Sequence, residues 1–275
     1  MKILVCLDHG VAARYWMDIC KELHENHQLF VCSFEDDYVD YWIIQAGLPF
    51  GNADLEDTYD IYLTSGTSKI GTIYDPAKIK AKRKIFLCEP PMGETPIPGY
   101  DTILVSSQYG YDRAIKNKYT SNIVLTGYPP FEKAILSQRR SPKYILVFTD
   151  WLYEQRGTII LLDLAQKMGN QFNYPVVVKP HPYNKSKKDF YFEEMDLLTY
   201  RTLRWFDPNI TDNQNLMLDA YGVLCIRSIA GIESTLAKVP TLFLYQLLPL
   251  QNFGISFLTQ DFSKTEENYN RFINH

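Results

Sequence analysis

The run Tyr174-Pro175-Val176-Val177-Val178 constrains the fold more than any other stretch of the chain. Its β-branched residues are not interrupted by polar ones, so they read as a strand buried on both faces. Burial of that kind requires a parallel sheet with helices on each side. The run stops at Lys179-Pro180-His181-Pro182. Each proline fixes its own φ and keeps the preceding residue extended, which holds Lys179 and His181 in a stiff loop at the strand's carboxyl end. Open parallel sheets bind ligands outside that end, and a cation beside an imidazole suits a phosphate.

The rest of the chain repeats this α/β pattern. Lys2–Leu7 reads as a first strand, 12–25 as a helix with Ala13, Trp16, Met17, Cys20 and Leu23 on one stripe, and Gln28–Ser33 as a second strand. The intervening Asp8-His9-Gly10-Val11 lacks the glycine spacing of a dinucleotide fingerprint, so no NAD is expected. Phe34-Glu35-Asp36-Asp37-Tyr38 comes next, then a loop-rich region with Gly47, Pro49, Gly51 and Asn52, and further strands are expected at 60–64, 84–88, 102–106 and 122–126. The turn residues Thr126-Gly127-Tyr128-Pro129-Pro130-Phe131 close the first half. The second half restarts with strands at 143–148, 175–178, 221–226 and 239–245 and helices at 158–168, 213–220 and 229–237. The expectation is two Rossmann-like domains, 1–130 and 131–260, with parallel sheets facing across a cleft. A terminal helix over 261–275 is expected to pack back across the hinge.

Charge and cysteine content narrow the function classes. A net charge of −4 argues against general nucleic-acid binding. No apolar run approaches the roughly 18 residues that span a bilayer, and the opening residues do not form a signal peptide, so a cytoplasmic protein is expected. Five cysteines, an odd number without CxxC spacing, give neither a disulfide framework nor a zinc site. Cys6, Cys32, Cys88 and Cys225 fall in or beside apolar runs and read as core thiols. The run Lys78-Ile79-Lys80-Ala81-Lys82-Arg83-Lys84 reads as a solvated helix end leading into a strand. Attraction to an anionic membrane surface, extended by Arg139-Arg140, is the alternative.

A second chemical feature lies where the strand ending at Ile226 meets Arg227-Ser228-Ile229-Ala230-Gly231-Ile232-Glu233-Ser234-Thr235. Small residues at a strand end lead directly into a helix, whose start offers unpaired N–H groups and a partial positive charge. Arg227 and Ser228 add a guanidinium and a hydroxyl to a phosphate site. Glu233, in the first turns, is placed either to accept hydrogen bonds from ribose hydroxyls or to serve as a helix-start charge with no ligand. The carboxylates of Glu35-Asp36-Asp37 and Asp57-Thr58-Tyr59-Asp60 read as solvated loops, so no metal site is expected.

The Lys-Pro-His-Pro strand end, the later Ser-x-x-Gly-x-Glu-Ser-Thr helix and the Val-Pro-Thr-Leu-Phe-Leu strand together resemble the carboxyl-terminal half of GT-B glycosyltransferases. The nearer likeness is to those with an HP motif and an S motif: polysialyltransferases, capsular Kdo transferases and CDP-glycerol glycerophosphotransferases. The Thr126-to-Pro130 turn is similar to the one that ends the amino-terminal domain in these enzymes and in UDP-GlcNAc 2-epimerases. The resemblance implies a sugar donor activated by a nucleotide, CMP or CDP ahead of UDP, a glycan or glycolipid acceptor, and neither metal nor cofactor. It implies that His181 contacts the donor phosphate and assists the leaving nucleotide, that Ser228 binds phosphate and that Glu233 holds the ribose. Lys179, Gly231, Ser234, Thr235 and Gly127 complete the implied donor set, while Arg227 rests on the local argument alone. Asp8 and His9, at the end of the first strand, are the candidates for the acceptor base, with Glu35, Asp36 and Asp37 as competitors. A second Glu eight positions after the first, common in retaining enzymes, is replaced by Thr241, which leaves the stereochemical outcome open. The alternatives are a glycerophosphotransferase, a nucleotide-sugar 2-epimerase, for which the chain is short, and a non-catalytic nucleotide-binding subunit.

Overall fold

A computed structural model describes residues 1–7, 10–33, 37–65, 72–88, 98–118, 121–127, 129–149, 155–181, 200, 203–206, 213–226 and 228–244. The chain divides into two units, Met1–Pro129 and Pro130–His275.

Unit 1 is built on a six-stranded parallel sheet. Its elements are β1 (Lys2–Leu7), α1 (Gly10–Asn26), β2 (Gln28–Ser33), α2 (Asp37–Gln45), β3 (Tyr59–Ser65), β4 (Ala81–Leu87), β5 (Thr102–Val105), α3 (Gln108–Lys116) and β6 (Asn122–Leu125). The spatial order is β2-β1-β3-β4-β5-β6, so the direction of winding reverses between β1 and β3. Alternation along β1 explains why both faces are covered: Ile3, Val5 and Leu7 pack with Trp16, Met17 and Cys20 of α1 and with Val39 and Ile43 of α2. Leu4 and Cys6 pack on the opposite face with Tyr62, Phe86 and Ile103.

Unit 2 holds a five-stranded parallel sheet. Its elements are α4 (Pro129–Leu136), which starts one residue before the unit boundary, then β7 (Tyr144–Phe148), α5 (Gln155–Phe172), β8 (Val176–Lys179), β9 (Arg204–Trp205), α6 (Asn213–Leu218), β10 (Ala220–Cys225), α7 (Ile229–Leu236) and β11 (Thr241–Phe243). The order β11-β10-β7-β8-β9 puts the switch point between β7 and β10. One face packs Ile145, Val147, Val176, Val178, Leu224 and Ile226 against Leu161, Leu162, Ala165 and Met168 of α5. Each such side chain taken from water contributes about 1.5–3 kcal/mol, which explains the uninterrupted valines of β8.

Several expectations change. The region after β2 contains α2, carried by the i, i+4 pair Val39 and Ile43, where loops were expected. A helix, α4, begins at Pro129-Pro130, where a turn was expected, because proline's fixed φ is compatible with a first helical turn. The lysine run does not end a helix: it enters β4, an interior strand. Lys80 pairs with Glu56 at 2.9 Å and Lys82 with Asp60 at 2.6 Å, so part of its charge is answered within unit 1. Arg139 donates to the carbonyls of Ala220 and Tyr221 at the foot of β10, and Arg140 donates to Asn215 of α6, so the two arginines tie the start of unit 2 to both elements. All five cysteines are free and buried. Among the described residues no helix is long and apolar enough to cross a membrane. The terminal helix expected over 261–275 lies outside the described residues.

Candidate functional site

The strand pairing fixes where the chemistry of unit 2 collects. Lys179 pairs with Phe148, Phe148 with Cys225, and Cys225 with Phe243, so these four residues form one row across the carboxyl edge of the sheet. Thr149, Pro180 and His181 continue just beyond the row on β7 and β8, and Ser228 does so on β10. The ends of β8 and β10 flank β7 at the switch point, about 9–10 Å apart at the usual interstrand spacing.

On the β10 side, Ser228 caps α7. It has extended backbone (φ −145°, ψ 139°), and its Oγ accepts a hydrogen bond from the Ala230 N–H at 3.2 Å. Its carbonyl takes the Gly231 N–H at 3.0 Å. A hydroxyl that accepts in this way still has an O–H to donate. The cap therefore leaves a donor group at a helix start with partial positive charge.

Gly231 has a different task from its neighbours. A Cβ there would sit 2.4 Å from the Cys225 Sγ and 2.6 Å from Cε1 of Phe243, so only glycine lets α7 lie this close to β10 and β11. Its place in the motif is explained by helix–sheet packing. Ser234 Oγ donates to the Ala230 carbonyl at 2.7 Å and Thr235 Oγ1 to the Gly231 carbonyl at 3.1 Å, so both hydroxyls turn back on their own helix. Glu233 is 3% exposed and enclosed by the chain.

On the β8 side, the strand runs one residue further than the apolar pattern implies and takes in Lys179. Alternation sends Val176 and Val178 toward α5 and Val177 with Lys179 to the opposite face. There the Lys179 ammonium, 4% exposed, donates to Asn213 Oδ1 at the first residue of α6. It is thus packed beneath α6 and not held out at the mouth. Tyr144 ties the other end of α6 by donating to the Leu216 carbonyl at 2.9 Å. Burial, and after it the Asp219 carboxylate, pushes that phenol up to about 12, so it remains a donor throughout the ordinary pH range.

His181 is partly exposed, and its amide donates to Thr149 Oγ1 at 3.3 Å. Thr149 in turn donates its own N–H to the Lys179 carbonyl at 3.2 Å. Thr149 and Asn213 are site residues that the sequence reading missed. The signal for Thr149 is the register between β7 and β8, and that for Asn213 the packing of α6 over Lys179, neither of which a single stretch displays.

Gly127 lies in unit 1 with φ +74° and nothing within 4 Å of a built Cβ, so its left-handed backbone is what the turn requires of it. The structure brings together Lys179, His181, Thr149, Ser228, Gly231 and Glu233 at or just below one sheet edge. Arg227, Asp8, His9, Glu35 and Asp36 lie outside the described residues. Among the described residues, no group of three His, Cys, Asp or Glu could hold a metal ion.

No family model matches the sequence, and no curated protein matches it. Solved structures do. The UDP-GlcNAc 2-epimerase of Methanocaldococcus jannaschii, in complex with UDP-GlcNAc and UDP, aligns with a TM-score of 0.71 at 10% identity, over 100% of this chain and 93% of that one. The fold is GT-B-like. The Neisseria meningitidis UDP-GlcNAc 2-epimerase bound to UDP-GlcNAc gives a TM-score of 0.71 at 12% identity, over 100% and 91% of the two chains. HepE from Anabaena, in complex with UDP and glucose, gives 0.66 at 13%, over 100% and 89%. These structures carry the GT-B-like fold. They do not carry the specific likeness to polysialyltransferases, capsular Kdo transferases or glycerophosphotransferases. The fold likeness runs along the whole chain, so its length does not set it apart from the epimerases.

Proposed function

We propose that this chain is an enzyme acting on a nucleotide-activated sugar, with the donor's phosphates held at the carboxyl edge of the second sheet. The observation that carries this reading is the pairing, across one switch point, of the Ser228-capped start of α7 with the Thr149-anchored Pro180-His181 loop. The UDP named in the similar structures favours a uridine nucleotide over CMP or CDP.

The first reading of the reaction is glycosyl transfer. An acceptor hydroxyl oxygen attacks the anomeric carbon, and the bond from that carbon to the phosphate oxygen breaks with its electron pair on the departing nucleoside diphosphate. The acceptor's proton passes to a base, for which Asp8 and His9 are the candidates. Negative charge grows on the leaving phosphate, where the positive end of α7, the Ser228 hydroxyl, the His181 imidazole and the Arg227 guanidinium stabilise it more than they stabilise the intact donor. Glu233 would hold the ribose, and the acceptor would be a glycan or glycolipid. The second reading is 2-epimerisation of a UDP-sugar, favoured by the fold likeness to two such epimerases along the full chain.

Incubation with UDP-GlcNAc, with and without a glycan acceptor, followed by NMR of the products, separates these readings. UDP release with sugar joined to the acceptor supports transfer, and a C2-inverted UDP-sugar supports epimerisation. Thermal stabilisation by UDP without turnover, lost in His181→Ala, leaves a binding subunit. If no uridine, cytidine or guanosine nucleotide shifts the melting temperature at saturation, the donor site is wrong.

A further inference from the structure

In a parallel pair the hydrogen bonds are evenly spaced, every second residue of one strand bridging two residues of the other. The β7–β8 ladder follows this rule up to its end: Ile145 donates to the Pro175 carbonyl and Thr149 to the Lys179 carbonyl. The next bond of the series would run from the His181 N–H to the main-chain carbonyl of Thr149. It runs to the Thr149 hydroxyl instead, at 3.3 Å. The side chain stands in for the carbonyl, so the main chain of β7 can leave the sheet while β8 is held in strand register for two more residues. Pro180 has no N–H, so among the described residues this bond continues the grip of the ladder on the loop.

We infer that Thr149 is a positioning residue for the proposed donor site, a side-chain splint that sets where His181 stands. Held in register, His181 falls two residues after Lys179 and keeps to the same face, the one against which α6 and α7 pack. That face also carries the Ser228 end of α7. Thr149 is 4% exposed and His181 partly exposed, so the acceptor end of the bond lies in the protein and the donor end at its edge. The inference rests on the donor-site reading for its functional meaning, while the splint itself is a statement about one amide.

The test compares Thr149→Val, which keeps the shape and removes the acceptor, with Thr149→Ser, which keeps the hydroxyl. Hydrogen exchange at the His181 amide, resolved by NMR, is expected to quicken about tenfold or more in Thr149→Val and to stay near wild type in Thr149→Ser, with Val147 and Val178 unchanged in both. Isothermal titration with UDP is expected to show about tenfold weaker binding in Thr149→Val and recovery in Thr149→Ser. An unchanged His181 exchange rate in Thr149→Val overturns the splint whatever UDP does. If the exchange result holds and UDP binds both variants as it binds wild type, the splint does not serve the donor site. Absence of UDP binding by the wild type defeats the donor-site reading and leaves the amide result to decide the splint. Should Thr149→Val fail to fold, Thr149→Ala with the same two readouts replaces it.

Discussion

Among the described residues, two serine-capped helices begin at the carboxyl ends of parallel strands, α3 after β5 and α7 after β10. Their caps are nearly superimposable in kind. Ser107 and Ser228 share φ −145°, each hydroxyl accepts an amide from the first turn, and each is followed three residues later by glycine. The surroundings differ. Beyond Gly110 a Cβ would meet only ordinary contacts at 3.5–3.9 Å, whereas Gly231 is pressed onto Cys225 and Phe243. Along α3 the one buried residue among those described is Ala114, while Ala230 to Ser234 are all buried on α7. β5 lies away from its sheet's switch point, and β10 borders its own. A serine cap is common helix chemistry, and the sheet's winding together with the closeness of α7 distinguishes one copy.

The glycines should show the contrast most strongly. Gly231→Ala is expected to lower stability by about 1–3 kcal/mol through overpacking, while Gly110→Ala should raise it by about 0.5–1 kcal/mol as alanine replaces glycine in a helix. Urea denaturation reads both, and equal effects would erase the packing difference. The serines come next. Ser228→Ala and Ser107→Ala should each cost about 0.5–2 kcal/mol as a lost cap, but only Ser228→Ala should weaken UDP binding in titration, by about tenfold or more. The same loss of UDP affinity in Ser107→Ala would show that the caps are not distinguished by function. At Gly127, whose built Cβ meets nothing, only the backbone is affected: Gly127→Ala should cost about 1 kcal/mol from left-handed strain alone, visible as a lower melting temperature with unchanged UDP affinity.

The buried strands were legible because burial on both faces leaves no polar interruption: β1 and β2 are found at the expected residues, and β8 is displaced by one. Shorter or mixed patterns were not. The two residues of β9 are too few to show a period, and α2 is hidden by Asp37 and Asp40 in its first turn. In the lysine run, charge suggested a solvated helix end, yet the partners that accept it, Glu56 and Asp60, lie some twenty residues away in sequence. At the site, the Ser228 cap and the His181 strand end could be read locally. Thr149 could not, because its hydroxyl gains meaning only from the register of β7 with β8. The packing demand on Gly231 likewise depends on Phe243, which reaches it from the next strand.

Nucleotide binding at the Ser228 edge is tested most directly by thermal unfolding of the wild type, Ser107→Ala and Ser228→Ala with and without UDP at about a hundred times its dissociation constant for the wild type. Ligand linkage at that excess is worth about 2.7 kcal/mol, so wild type and Ser107→Ala should each gain roughly 5–10 °C and Ser228→Ala clearly less. No gain in the wild type, or the same gain in all three, would contradict a donor site at the start of α7.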